Sequence, residues 1–310
     1  MTDPVESCVL AFDVGGSHVA AAVCSGRDFR LGAVVRAQHP AAETSDAFLD
    51  LLRDLGAKVG ASRDGTTGAM LAVPGPFDFK AGVSLMRHKL PYLYGIDLRG
   101  GLAARLGWQP EQVRFLNDAE AFLLGEVGGG AARGFKRVIG LTLGTGIGSA
   151  FAVDGQVATE GTGVPRGGEI WNLSYEGGIV EDYVSGRAIR GNYQRRTGAT
   201  REVVDLAASV ANDPAAKQAF EEFGENLGEV IRSLLGEFQP EAVVFGGGIS
   251  RSAELFLPAV RGRLGDLPIQ LRVSELGDRA ALVGCGVAAF RGENASPNAS
   301  KSKAANSGAV

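Results

Sequence analysis

Phe12-Asp13-Val14-Gly15-Gly16-Ser17 and Leu141-Thr142-Leu143-Gly144-Thr145-Gly146-Ile147-Gly148 are the same device used twice. Each joins two apolar runs through a glycine turn: Cys8 to Val14 with Val19 to Val23, and Arg137 to Leu143 with Ser149 to Val153. Such a turn brings backbone N–H groups up to phosphate oxygens with no Cβ in the way. Ser17 and Thr145 each add a hydroxyl. Asp13 stands where a carboxylate holds Mg²⁺ through water. One glycine turn alone reads as an ordinary hairpin. Two, far apart in sequence, clamp phosphates from two sides and point to an internal duplication of fold.

A third run, Val243-Val244-Phe245-Gly246-Gly247-Gly248-Ile249-Ser250, takes a strand into three glycines. Bare backbone there accepts a flat ring, and Ser250 is expected to cap the helix that follows. Working outward, Leu31 to Gln38 reads as a third strand. The apolar spacing predicts helices over Ser45 to Val59, with Ser45 as N-cap, Leu98 to Leu106, Glu181 to Thr197, Ala219 to Phe238 and Ala280 to Arg291. Val113 to Leu116 reads as a strand, followed by Asn117-Asp118 at the mouth of a helix from Ala119. By composition this pair caps the helix. A carboxylate at such a corner is also exposed, where it can serve as a general base. The two roles are compatible.

Composition excludes several classes. The 310 residues hold 31 Lys and Arg against 35 Asp and Glu, a net charge of −4 that gives no reason to seek nucleic acid or an anionic membrane. Cys8, Cys24 and Cys285 are too few and too scattered for a disulfide framework or a zinc pattern. No apolar run reaches membrane-helix length, and Met1 to Ser7 lacks a basic leader, so the expectation is cytoplasmic. The 46 glycines cluster in tight groups, as close approach to a ligand requires. From Glu293 onward no aromatic residue appears, and disorder is expected over 293–310.

Three glycine loops in this order resemble the superfamily of sugar kinases, heat-shock ATPases and actin. Within it the pattern is similar to the ROK family of bacterial sugar kinases, from about Cys8 to Phe290. The resemblance implies an α/β, two-domain actin-like ATPase (ribonuclease H-like) fold with mixed sheets and an interdomain cleft. A small domain would span 1–117 plus the closing helix 280–292, and a large one 118–279. Gly15, Gly16, Ser17, Gly144, Thr145 and Gly146 correspond to the two phosphate motifs, and Gly247 and Gly248 to the adenosine motif. Ala72-Val73-Pro74-Gly75-Pro76-Phe77-Asp78 resembles the segment near the sugar, which puts Gly75 beside it. Asn117 matches the sugar-binding Asn and Asp118 the catalytic Asp.

The next stretch departs from the family. Glu169-Ile170-Trp171-Asn172 stands in place of Glu-x-x-His, so Asn172 replaces the histidine. No cysteine lies between Cys24 and Cys285, so the zinc cluster is expected to be absent. Glu181-Asp182-Tyr183-Val184-Ser185-Gly186 does match, and it carries Glu169 and Glu181 over as acceptors of sugar hydroxyls. Lys89 stands where Asn usually precedes Leu-Pro. The histidines His18, His39 and His88 read as surface or satisfied residues. The implied activity is transfer of the ATP γ-phosphoryl to a hexose hydroxyl, O6 of glucose first, with ATP and Mg²⁺ and no zinc, in a homodimer. A sugar sensor, a polyphosphate-dependent kinase, or a kinase for mannose, fructose, an N-acetylhexosamine or a polyol are the rivals. A repressor of this family would carry a DNA-binding domain ahead of the first strand, which begins here by Cys8.

Overall fold

A computed structural model describes residues 7–61 and 65–291; the tail expected at 293–310 lies outside them. In chain order, β1 (Cys8–Val14), β2 (His18–Ser25) and β3 (Val35–Gln38) form a meander, followed by α1 (Ser45–Lys58) and β4 (Thr66–Val73). A small hairpin, β5 (Phe77–Asp78) with β6 (Val83–Ser84), precedes α2 (Leu98–Leu106), β7 (Val113–Asn117) and α3 (Asp118–Gly129). A second meander follows: β8 (Arg137–Leu143), β9 (Ile147–Val153) and β10 (Gln156–Ala158). Next come the hairpin β11 (Ser174–Tyr175) and β12 (Gly178–Ile179), then α4 (Val180–Tyr183), α5 (Gly186–Thr197), α6 (Val203–Ser209) and α7 (Pro214–Phe238). The chain closes with β13 (Ala242–Gly246), α8 (Leu257–Leu264), β14 (Gln270–Val273) and α9 (Ala280–Arg291).

Two five-stranded sheets result, ordered β3-β2-β1-β4-β7 and β10-β9-β8-β13-β14. In each, a three-stranded antiparallel meander takes two further strands in parallel. Parallel neighbours need crossovers, which the intervening helices supply. The duplication signalled by the two glycine turns is therefore a duplication of sheet topology.

β1 shows why its sequence is apolar up to Asp13. Leu10, Phe12 and Val14 point to one face, against Phe48, Leu52 and Leu55 of α1. Val9 and Ala11 point to the other, against Val283, Cys285 and Val287 of α9. A strand covered on both faces has no solvent side to mark with polar residues. In the second half, Phe220, Phe223, Leu227, Val230, Ile231, Leu234 and Phe238 form the buried stripe of α7.

α3 stands between the two halves. Ala119, Phe122 and Leu123 pack on Val138, Ala150 and Val244 of the second sheet. Ala121 and Leu124 join the cluster that α9 makes with the first sheet. The two helices touch backbone to backbone. A Cβ on Gly284 would lie 1.7 Å from the Ala121 carbonyl oxygen, and one on Gly125 2.0 Å from that of Ala280. Glycine is obligatory at both positions.

Some boundaries differ from expectation. Thr44, not Ser45, caps α1, its hydroxyl accepting the Ala47 N–H at 3.2 Å. Leu31 makes only an isolated bridge to Cys24, and β3 starts at Val35. The helix expected from Glu181 breaks in two because Ser185 turns extended and caps α5 by accepting from Ala188 at 3.2 Å. Ser250 caps no helix; it donates to the Gly247 carbonyl at 2.7 Å. Among the described residues no helix is long and apolar enough to cross a membrane.

Candidate active site

Three parallel strands of the first sheet end side by side. Asp13 of β1 is in register with Ala72 of β4, and Val73 with Asn117 of β7. The first glycine turn, the Pro74-Gly75 segment and the Asn117-Asp118 corner thus leave the same edge. In the second sheet Thr142 is in register with Gly246, so the second turn and the triple glycine also leave together. A Cβ on Gly247 would sit 2.4 Å from the Leu143 carbonyl oxygen, showing how closely those two runs adjoin. Carboxyl ends of parallel strands are where ligands settle in open α/β sheets.

Gly16, Gly144 and Gly248 carry a second signal. A Cβ on any of them would meet no atom of the protein within 4 Å. Packing therefore does not demand glycine there, and the bare backbone stands open to a ligand. His39 holds the first turn: its Nε2 lies 2.9 Å from the Gly15 carbonyl oxygen and its Nδ1 3.0 Å from the Tyr92 hydroxyl. A carbonyl only accepts, so Nε2 carries a proton toward Gly15.

At the corner, Asn117 is the N-cap of α3. Its Oδ1 accepts from Ala119 at 2.9 Å and Glu120 at 3.4 Å. That fixes the amide orientation and leaves its NH₂ as the outward donor. Asp118 Oδ1 accepts from Ala119 at 3.0 Å. Burial raises the Asp118 carboxyl above the usual carboxylate range, and the Lys89 ammonium opposes the rise. Asp13 is pushed up to about 7, first by burial and then by the facing charge of Asp118, with Arg36 pulling down and Asp278 pushing up.

Glu120, passed over in the sequence, is a third acid at this corner. Burial raises it, and the charges of Asp118 and Glu169 add to the rise, while a hydrogen bond from the Asn117 backbone lowers it. The visible signal was the spacing Asn117-x-x-Glu120, a capping box.

The remaining candidates lie on the second half. Glu169 is exposed and accepts from Trp171 Nε1 at 3.1 Å. Trp171, 40 % exposed, is an aromatic face that sequence reasoning missed. Asn172 is exposed. Glu181 lies against the second glycine turn: its Oε2 accepts the Ile147 N–H at 3.2 Å and its Oε1 the Arg187 guanidinium. Ser17 and Thr145 are exposed at the turns.

The pattern of the ROK family matches residues 9–289. The chain belongs to the ROK family. It is 29 % identical over 246 residues to a glucokinase of Thermotoga maritima, covering 70 % of this chain and 75 % of that protein. It is 28 % identical over 278 residues to an N-acetyl-D-glucosamine kinase of Escherichia coli, covering 82 % and 87 %. Its fold matches a ROK hexokinase of Thermus thermophilus with a TM-score of 0.78 at 28 % identity, over 93 % of this chain and 99 % of that one.

The donor set fits magnesium. Among the described residues no three His, Cys, Asp or Glu side chains gather around a point. Magnesium needs no such cage; it takes one or two carboxylates, phosphate oxygens and water. Asp13, beside the first turn with its carboxyl raised in part by the charge of Asp118, is the group that a magnesium ion there would relieve.

Proposed function

We propose that this ROK protein is an ATP-dependent sugar kinase that phosphorylates a hexose hydroxyl, O6 of glucose first. The observation that carries the reading is the Asn117-Asp118 corner, where a half-buried carboxylate opens α3 at the strand-end edge that also bears the first glycine turn. The glucokinase and N-acetylglucosamine kinase relatives support the sugar class. On this reading the two sheets are the cores of two domains divided near 118, with α9 returning to the first.

The steps follow from the chain's own groups. Asn117 donates to a sugar hydroxyl, and Glu169, Asn172 and Glu181 accept or exchange hydrogen bonds along the sugar's edge. Asn172 both donates and accepts but does not titrate, unlike the histidine it replaces. Gly75 gives the sugar close access to backbone. Asp118, ionised, takes the proton of the attacking hydroxyl as its oxygen bonds to the γ-phosphorus. The bond to the β-phosphate bridging oxygen breaks and ADP leaves. Gly15, Gly16, Ser17, Gly144, Thr145 and Gly146 hold the phosphates with N–H and O–H donors, and Gly247 and Gly248 accept the adenosine ring. Magnesium held by Asp13 through water would neutralise phosphate charge. The protein acts in the cytoplasm, as a homodimer, on small molecules and not on nucleic acid.

The pH profile has a defined sign. Asp118 acts when ionised, and its carboxyl is raised, so kcat/KM falls on acidification at a pH above the ordinary carboxylate range. Lys89→Met removes the charge that opposes the rise, and its acid limb moves to still higher pH. An unmoved limb would separate Lys89 from the base.

The family's zinc is expected to be missing, because no cysteine lies between Cys24 and Cys285. Elemental analysis of the purified protein should find no stoichiometric zinc, and chelators should leave its melting point unchanged. One tightly held zinc per chain refutes this. The function itself is tested by coupled ADP release over a panel of glucose, mannose, fructose, N-acetylhexosamines and polyols, with polyphosphate run beside ATP. Turnover of a hexose with ATP supports the proposal; binding of sugars without turnover by either donor favours a sensor.

A further inference from the structure

We infer that Arg187 is a positioning residue that locks Glu181 across the acceptor edge and the donor loop; this rests on Glu181 reading the sugar. Arg187 sits in the first turn of α5, two residues after the Ser185 cap. A cation there faces the positive end of the helix dipole, so helix stability does not explain it. Its guanidinium donates to Glu181 Oε1 in an ion pair.

The other oxygen of Glu181 is also committed. It accepts from Ile147, the residue that follows the turn Gly144-Thr145-Gly146. A Cβ on Gly146 would lie 2.2 Å from that oxygen, so the turn closes directly on the carboxylate. Next to Arg187, the Gly186 N–H donates to the Gly144 carbonyl at 2.8 Å and ties α5 to the same turn.

On the opposite side the backbone N–H of Glu181 donates to the Trp171 carbonyl at 3.0 Å, and the Trp171 indole donates to Glu169. A continuous chain of hydrogen bonds thus runs from Glu169 through Trp171 and Glu181 to the phosphate-binding turn. Arg187 grips the one side chain that belongs to both ends. A free carboxylate would rotate about its terminal bonds and lose both its aim at the sugar and its hold on Ile147. The Arg187 pair removes that freedom while leaving the reacting groups untouched. Loss of Arg187 should therefore weaken both substrates and spare the chemical step.

The test is initial-rate kinetics with acceptor and ATP both varied, on Arg187→Met, Arg187→Lys, Glu181→Gln and the unaltered protein, with thermal midpoints measured in parallel. Arg187→Met should raise the acceptor KM about tenfold and the ATP KM about threefold, with kcat within about threefold. Arg187→Lys, which keeps the charge, should recover part of both losses. An ATP KM that stays fixed while the acceptor KM rises overturns the bridging role. If Arg187→Met changes neither KM while Glu181→Gln raises the acceptor KM, the inference fails and the sugar-reading role of Glu181 stands. If Glu181→Gln is also silent, that role fails and the inference with it.

Discussion

Asp118→Asn lowers kcat by at least about 10²-fold while sugar still binds. The amide keeps an oxygen to accept the Ala119 N–H, so the corner and α3 stay as they are. What it loses is the ability to take a proton from the attacking hydroxyl. It also removes the charge that faces Asp13, whose carboxyl therefore falls back toward its ordinary range. Phosphate-side binding is thus kept or improved while turnover collapses. Single-turnover kinetics and calorimetric titration with the hexose separate the two effects. Near-normal turnover in this variant would remove Asp118 from the role of base.

Glu169→Ala raises the acceptor KM by about one to two decades and leaves the ATP KM unchanged. A carboxylate accepting a hydroxyl makes a charge-assisted bond worth about 1.5–3 kcal/mol, and each 1.4 kcal/mol is about tenfold. Glu169 is exposed in the free protein, with Trp171 as its hydrogen-bond partner, so its removal leaves no buried group stranded. The fold should melt at its usual temperature. An unchanged acceptor KM would show that this loop does not face the sugar.

The two glycine turns were legible because a strand, a turn and a strand of apolar residues leave few other structures for the chain. Their equivalence as halves of two sheets with one topology followed directly. The Asn117-Asp118 corner was legible as a cap, and the base role proposed for it is compatible with that cap. The roles agree because the cap uses Asn117 Oδ1 and one Asp118 oxygen, leaving the other groups outward. Glu120 was legible as the far end of a capping box with Asn117, but its approach to Glu169 arises only when α3 and the loop before Trp171 are folded together. Lys89 looked like a minor departure, and only the tertiary approach of its loop to Asp118 gives it weight. The break at Ser185 was hidden by helical spacing on both sides, since a serine inside such a run reads equally as a surface position. Arg187 was passed over for the same reason: the run from Glu181 matched as a whole, and its pairing across the break became visible only in three dimensions.

Phosphorus NMR of the protein incubated with glucose, ATP and Mg²⁺ tests the central claim most directly. The account predicts a phosphate monoester on O6 of the sugar, appearing one for one with ADP and absent without sugar. Release of inorganic phosphate at a rate that ignores the sugar, with no sugar ester formed from any acceptor of the panel, would contradict it.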